Sequence, residues 1–257
     1  MSDPVQAVAL PHAVDVASVV LGAAQGALFA SQVAKERKID LVGIAMVAIA
    51  TGLGGGIARD LLLNQVPAAL QSNEYVSSAL VAAVVAVGLS GAISRLDPLV
   101  VAFDALSLGL YLVVGLSKAS SLGLGSVPSI FIGILSCTAG GVVRDLLLRT
   151  EVAMVTVGSF YAFAAFSGAL VYMGLLQVAN QGVATWMAVL VTFSVRMLSI
   201  WFGWSTPHAS ALRMERLDAS VESMERMARS GVDVILRGGK GFMRSDRTES
   251  DGRTSEE

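Results

Sequence analysis

Residues 51–63 read Thr-Gly-Leu-Gly-Gly-Gly-Ile-Ala-Arg-Asp-Leu-Leu-Leu, and residues 136–148 read Ser-Cys-Thr-Ala-Gly-Gly-Val-Val-Arg-Asp-Leu-Leu-Leu. The two stretches stand 85 positions apart, each inside a long apolar run. Glycines followed by an Arg-Asp pair are costly to place in a membrane even once. Their repetition points to a duplicated unit with a locally broken helix and buried charges, a common construction for membrane transport sites.

Composition decides the broad class. Hydrophobic residues make up 54% of the 257 positions and charged ones 15%, and the mean hydropathy is +0.68. Such a chain would be insoluble as an ordinary globule, so it reads as an all-α integral membrane protein. The formal net charge of -2 hides an uneven distribution, because nine of the 18 Lys and Arg lie beyond residue 208. That tail also holds ten Asp and Glu, which makes it a mixed-charge segment and not a nucleic-acid arm. Cys137 is the lone cysteine, and the two histidines, His12 and His208, lie outside the apolar runs. No disulfide, metal centre or Cys/His catalytic arrangement can be assembled from them. No basic residue precedes the first apolar core, so a cleavable signal peptide is not expected.

A helix needs about 20 mainly apolar residues to cross the hydrocarbon core. Seven segments qualify: 15–34, 40–64, 76–94, 99–117, 127–148, 155–176 and 183–203. The expected organisation is a short N-terminal segment (1–13), a first three-helix repeat (14–94), a second (95–176), a seventh helix (177–207) and a cytoplasmic tail (208–257). Lys35, Arg37, Lys38, Arg95 and Arg149 fall on one side of the membrane and Lys118 on the other. This bias predicts an outer N-terminus and a cytoplasmic C-terminus. Because each repeat holds an odd number of spans, the two copies must insert in opposite orientations. Arg59-Asp60 then lies in the outer half of its span, and Arg144-Asp145 in the inner half of its own.

Two readings of the glycines stand side by side. Each Gly costs about 1 kcal/mol relative to Ala in a helix interior, so Gly54, Gly55 and Gly56 together weaken their helix by about 3 kcal/mol. A break there would expose carbonyls suited to a dehydrating monovalent cation. Alternatively, Gly52 and Gly56, like Gly22 and Gly26, form small-xxx-small pairs that pack helices closely.

The charges pose the same choice. Arg59, Asp60, Asp104, Arg144, Asp145 and Arg196 each face a penalty of about 2.5–3.5 kcal/mol at mid-membrane. Adjacent residues project about 100° apart on a helix, so Arg59 and Asp60 are expected to need separate partners or water. By depth, Asp15 belongs with Arg59 and Asp104 with Arg144, either within one chain or across subunits. Structural salt bridges explain any one of these residues; a hydrated polar pathway better explains the set. Lys35, Arg37 and Lys38 would suit anionic lipid headgroups or act only as a topology signal. Trp186, Trp201 and Trp204 flank the last span as interfacial anchors. In the tail, Met214, Leu217, Val221, Met224 and Ala228 suit a short amphipathic helix ended by Gly231, with disorder expected from Arg237 onward.

The chain resembles the prokaryotic-type trimeric intracellular cation (TRIC) channel family, also labelled as glycine transporters. The residues that carry the resemblance are Gly54-Gly55-Gly56-Ile57-Ala58-Arg59-Asp60 with its second copy at Gly140–Asp145, the turn ending in Ile39-Asp40-Leu41, Asp104-Ala105-Leu106, and Arg196 through Phe202-Gly203-Trp204. It spans about residues 14–207. The resemblance implies seven helices in two inverted repeats, a homotrimer in lipid, and a monovalent-cation pore in each subunit beside glycine-kinked second and fifth helices. The ion pathway is expected to run past Gly54, Gly55, Gly56, Arg59, Asp60, Ala139, Gly140, Gly141, Arg144 and Asp145, with the arginines suited to gating and the aspartates and glycine carbonyls to contacting a cation. Ala139 stands where the family often has a glycine.

A K⁺/Na⁺ channel is therefore the leading expectation, in the cell inner membrane, with no cofactor beyond the permeant ion and no nucleic-acid partner. A secondary transporter for a small amino acid such as glycine is the second, and a non-conducting scaffold the third. An enzyme is not expected, because Asp60 and Asp145 would lie in opposite halves of the membrane.

Overall fold

The computed structural model describes residues 10–93, 97–154 and 160–203. The chain divides into two units, 1–206 and 207–257. The second unit lies outside the described residues, and with it the expected tail helix and His208. Arg95, the start of the sixth expected span and Trp204 lie outside them too.

The described part is all-helical. In chain order it comprises α1 (His12–Val33), α2 (Leu41–Leu62), the single turn α3 (Ala68–Gln71), α4 (Asn73–Ile93), α5 (Asp97–Ser121), α6 (Ser126–Leu148), α7 (Tyr161–Leu175) and α8 (Gln181–Trp201). Five of these, α1, α2, α5, α6 and α8, are long and apolar enough to cross a membrane. The apolar parts of α4 and α7, Asn73–Leu89 and Tyr161–Leu175, are shorter. The one-turn α3 has no counterpart among the seven expected segments. Pro67 supplies the fixed φ from which such a turn can start.

Local chemistry sets the helix ends. The Asp40 carboxylate accepts from the Gly43 amide at 2.7 Å and opens α2, and Asn180 does the same for Val183 at the start of α8. Each is a side-chain cap for an amide that the helix itself leaves unpaired. The far ends of α2 and α6 match each other. Asn64 and Arg149 adopt left-handed backbone at φ 53° and 52°. The Gln65 amide donates to the Asp60 carbonyl at 2.8 Å, and the Thr150 amide to the Asp145 carbonyl at 2.9 Å. Both ends are thus Schellman closures, and the duplication extends past the leucines into the turn.

α5 is the central helix, with Leu108, Leu112, Val113 and Leu116 all buried. It packs on α1, α6 and α8, while α2 packs on α1, α4 and α6. The outward faces carry Val81, Val84, Val85, Phe131, Trp186 and Trp201, all well exposed. An apolar surface of this extent suits lipid or a protein partner, not water.

The expected break at the glycines is absent: α2 and α6 each run as one helix through the motif. The glycines instead form the crossing of the two. A Cβ at Gly55 would collide with the Ser136 carbonyl oxygen, and one at Gly140 with the Thr51 carbonyl oxygen. Gly54 faces the Cα of Gly140, at 3.4 Å from where its own Cβ would stand. Close backbone approach is the use to which these helices put small residues. Gly56 and Gly141 are not pressed against the facing backbone; Cβ atoms there would make only ordinary contacts with the guanidinium groups of Arg59 and Arg144, one turn on, at 3.8 and 3.9 Å.

Gly55→Ala or Gly140→Ala should therefore lower stability by about 1–3 kcal/mol through overpacking. Gly88→Ala, in the interior of α4 where nothing lies within 4 Å, should cost nothing and stabilise by up to about 1 kcal/mol. Thermal unfolding of the purified protein in detergent checks both.

Candidate ion pathway

The buried charges of the two repeats form two clusters with a shared plan. In the first, Arg59 Nε donates to Asp60 Oδ1 at 2.7 Å; in the second, Arg144 Nε donates to Asp145 Oδ1 at 2.8 Å. The adjacent residues thus do pair, contrary to the reading from helix angles. The 100° separation applies at Cβ, whereas the long arginine stem folds back far enough to reach its neighbour. The other oxygen of each aspartate accepts a backbone amide eight residues on, from Ala68 at 2.9 Å and Ala153 at 3.0 Å. Each carboxylate is satisfied on both sides, as a buried charge must be.

The free ends of the guanidinium groups meet the first helix of their own repeat. Arg59 Nη1 lies 3.4 Å from Asp15 Oδ1, and Arg144 Nη1 lies 3.6 Å from Asp104 Oδ1. These contacts are made within one chain. Tyr75 donates to Asp15 Oδ2 at 3.0 Å.

The plan then diverges. Lys118 Nζ reaches Asp60 at 2.8 Å in the first cluster. Lys118 and Phe29 stand 89 positions apart, the same interval as Asp104 and Asp15. Phe29 accordingly occupies the matching place in the second cluster, with the Arg144 guanidinium 4.4 Å above its ring. The second cluster's extra cation comes from α8 instead: Arg196 Nη2 is 3.7 Å from Asp104, and its guanidinium lies 4.8 Å from the Tyr161 ring.

Cavities follow these clusters along α1. A small one, about 10 Å³, lies among Asp15, Val19, Leu53, Arg59, Asp60 and Tyr75. A second of about 10 Å³ is lined by Gln25, Thr51, Asp104, Ser107, Tyr111 and Ser136. A third, about 240 Å³, adjoins the second at Gln25 and Asp104 and opens beside Arg144, Asp145, Glu151 and Arg196. The smaller volumes are near that of one water. Ser136 Oγ, buried at the middle cavity, finds no hydrogen-bond partner among the described residues.

Of the residues singled out from sequence, the structure gathers Asp15, Arg59 and Asp60 at one end and Asp104, Arg144, Asp145 and Arg196 at the other. Gly54, Gly55 and Gly140 lie at the crossing between them, and Ala139 is half-buried beside it. Lys35 and Lys38 are exposed on the α1–α2 turn. Arg37 is otherwise engaged, donating to the carbonyls of Leu148 and, at 3.4 Å, Arg149, where it closes the C-terminus of α6. Lys118, Tyr75, Tyr111 and Tyr161 were missed by sequence reasoning. A signal existed for the pair Tyr75 and Tyr161, which stand 86 positions apart, nearly the period of the repeat. Nothing local marked Lys118.

This arrangement, two charge clusters joined by a crossing of duplicated helices, defines a multi-pass membrane protein of the channel and transporter class. The family described as Glycine transporter matches residues 12–90 and 101–177, and the chain belongs to it, as a prokaryotic-type relative of the TRIC channels. A UPF0126 membrane protein of Deinococcus radiodurans is 32% identical over 160 residues, covering 62% of this chain and 73% of that one. The UPF0126 inner membrane protein YadS of Escherichia coli K12 is 25% identical over 185 residues, covering 70% and 89%. Among solved structures, a TRIC cation channel superposes with a TM-score of 0.67 at 27% identity, covering 76% of this chain and 95% of that one. The Rhodobacter sphaeroides TRIC orthologue gives 0.68 at 27%, covering 75% and 97%.

Removing Asp60 by Asp60→Asn leaves two cations, Arg59 and Lys118, short of their shared partner. The expected loss is about 3–5 kcal/mol, and Lys118→Met in the same chain should restore part of it, with a coupling of about 0.5–3 kcal/mol. A double-mutant cycle on detergent unfolding free energies measures this; additive effects would contradict the pairing.

Proposed function

We propose that the protein is a passive channel for monovalent cations, K⁺ and Na⁺, with a pathway inside each subunit along α1, α2, α5 and α6. The observation that carries this reading is the line of cavities from the Asp15 cluster to the Asp104 cluster past the α2–α6 crossing, each with charged or hydroxyl groups in its wall. Carboxylates stand at both ends, Asp104 reaching into the middle cavity, where Gln25, Thr51, Ser107 and Ser136 add neutral oxygens; this suits a cation that sheds part of its hydration. The arginines are held by aspartates, so their charge is matched and does not close the route to cations. Likeness to TRIC cation channels supports the reading.

In this reading α1, α2 and α4 form one repeat, α5, α6 and α7 an inverted second, and α8 a seventh crossing. The assembly is a homotrimer in the inner membrane, its N-terminus outside and its C-terminus cytoplasmic. Lipid contacts the apolar outer faces.

A second reading is transport of a small zwitterion such as glycine. The cavity of about 240 Å³ favours it, since guanidinium and carboxylate groups share its wall, as does the family description.

Single-channel recording in planar bilayers, in asymmetric KCl with and without glycine, separates the two. Discrete steps reversing near the K⁺ potential are expected, and Asp15→Asn and Asp104→Asn should each lower K⁺ conductance roughly twofold or more. A silent bilayer together with saturable glycine uptake into proteoliposomes would establish the transporter instead.

A further inference from the structure

The line of cavities is interrupted between the Asp15 cavity and the middle one, whose walls share no residue. Along α1 the interruption falls between Val19 and Gly22, and along α2 between Leu53 and Thr51. The Tyr111 side chain reaches this place from α5. The Tyr111 hydroxyl donates to the Gly52 carbonyl of α2, and the residue is buried. Its ring is seated between glycines. Cβ atoms built at Gly22 and Gly55 would stand 3.1 and 3.6 Å from ring carbons of Tyr111.

The duplication explains why so large a side chain fits there. Tyr111 and Gly22 are 89 positions apart, the interval that relates Asp104 to Asp15 and Lys118 to Phe29. One copy has a tyrosine at this position and the other has a glycine, and the ring fills the space the glycine leaves. Two tyrosines would collide, and two glycines would leave the middle of the molecule open.

We propose that Tyr111 is the constriction residue of the passage, a ring-and-hydroxyl plug fastened to the Gly52 carbonyl. Withdrawal of the side chain joins the two cavities and frees a backbone carbonyl oxygen in the gap, a ligand suited to a partly dehydrated monovalent cation. This proposal rests on the channel reading for its purpose but not for its geometry, and the two are separable by experiment.

Cys137 provides the readout. It is the chain's single cysteine, it is buried, and it lines the same middle cavity as Tyr111. The full-length protein and its Tyr111→Phe and Tyr111→Ala variants are reconstituted in oriented vesicles and treated with a small membrane-impermeant cationic thiosulfonate. The reagent is added on the Asp15 face only, so that it must pass Tyr111 to reach Cys137 in the middle cavity. Labelling is then followed by mass spectrometry. Tyr111→Ala should label about tenfold faster or more than wild type. Tyr111→Phe, which keeps the ring and loses the fastening, should fall between them. Val189→Ala serves as a control for general loosening, because Val189 packs on the far side of α5 against Gly109.

Equal labelling rates in wild type and both tyrosine variants would overturn the proposal, and so would an equal acceleration by Val189→Ala. If Tyr111→Ala does not fold, Tyr111→Phe decides alone, since it removes only the hydroxyl. The same preparations are recorded in planar bilayers. Faster labelling without current in any variant would keep the constriction and remove the channel reading. Wild-type current with labelling and conductance unchanged by either variant would do the reverse.

Discussion

A guanidinium group does not lose its proton under biological conditions, so an arginine buried among apolar helices must be matched by carboxylates. Arg59 and Arg144 impose that demand, and the surroundings of both are organised around it. Each takes one aspartate from the next position in its own helix and a second from the opening helix of its repeat. The aspartate beside it is in turn held by the amide of the chain that follows the helix. Helix end, connecting turn and neighbouring helix are thereby tied to one charge.

Much of this was legible in the sequence, because the duplication doubles every signal. The helical class, the long spans and the association of Asp15 with Arg59 and Asp104 with Arg144 follow from hydropathy, spacing and depth. The contacts between Arg59 and Asp60 were misread because Cβ geometry says little about a side chain with four rotatable bonds. The glycines were misread for a different reason. Helix propensity describes an isolated helix, and the gain from bringing two backbones together at Gly55 and Gly140 is a tertiary quantity that no single segment encodes. Lys118 was read only as a topology signal, since its partner lies 58 positions away in the chain and is recognised only once the fold exists.

The departures from repetition are as informative as the repetition. Where the first cluster has an ammonium at Lys118, the second has the ring of Phe29, and its additional cation arrives from a helix outside the duplicated part. The two ends of the proposed route therefore differ in kind. One is compact, with Lys118 drawn into it; the other opens to about 240 Å³ with Glu151 added to its wall. A passage with unlike ends passes ions unequally in the two directions when the field is reversed.

The crossing of α2 and α6 has one more property. Gly55 meets Ser136 while Gly140 meets Thr51, and the members of each contact exchange places when one copy is mapped onto the other. Such reciprocity is the mark of a self-complementary surface, the kind that joins two identical subunits about a dyad. A single repeat carries both halves of the contact on one face, so its natural partner is a second copy of itself. The polypeptide is in this sense a homodimer whose halves have been joined by peptide bonds. Covalent linkage freed each half to diverge, and a tyrosine facing a glycine is a pairing that two identical halves could not have made.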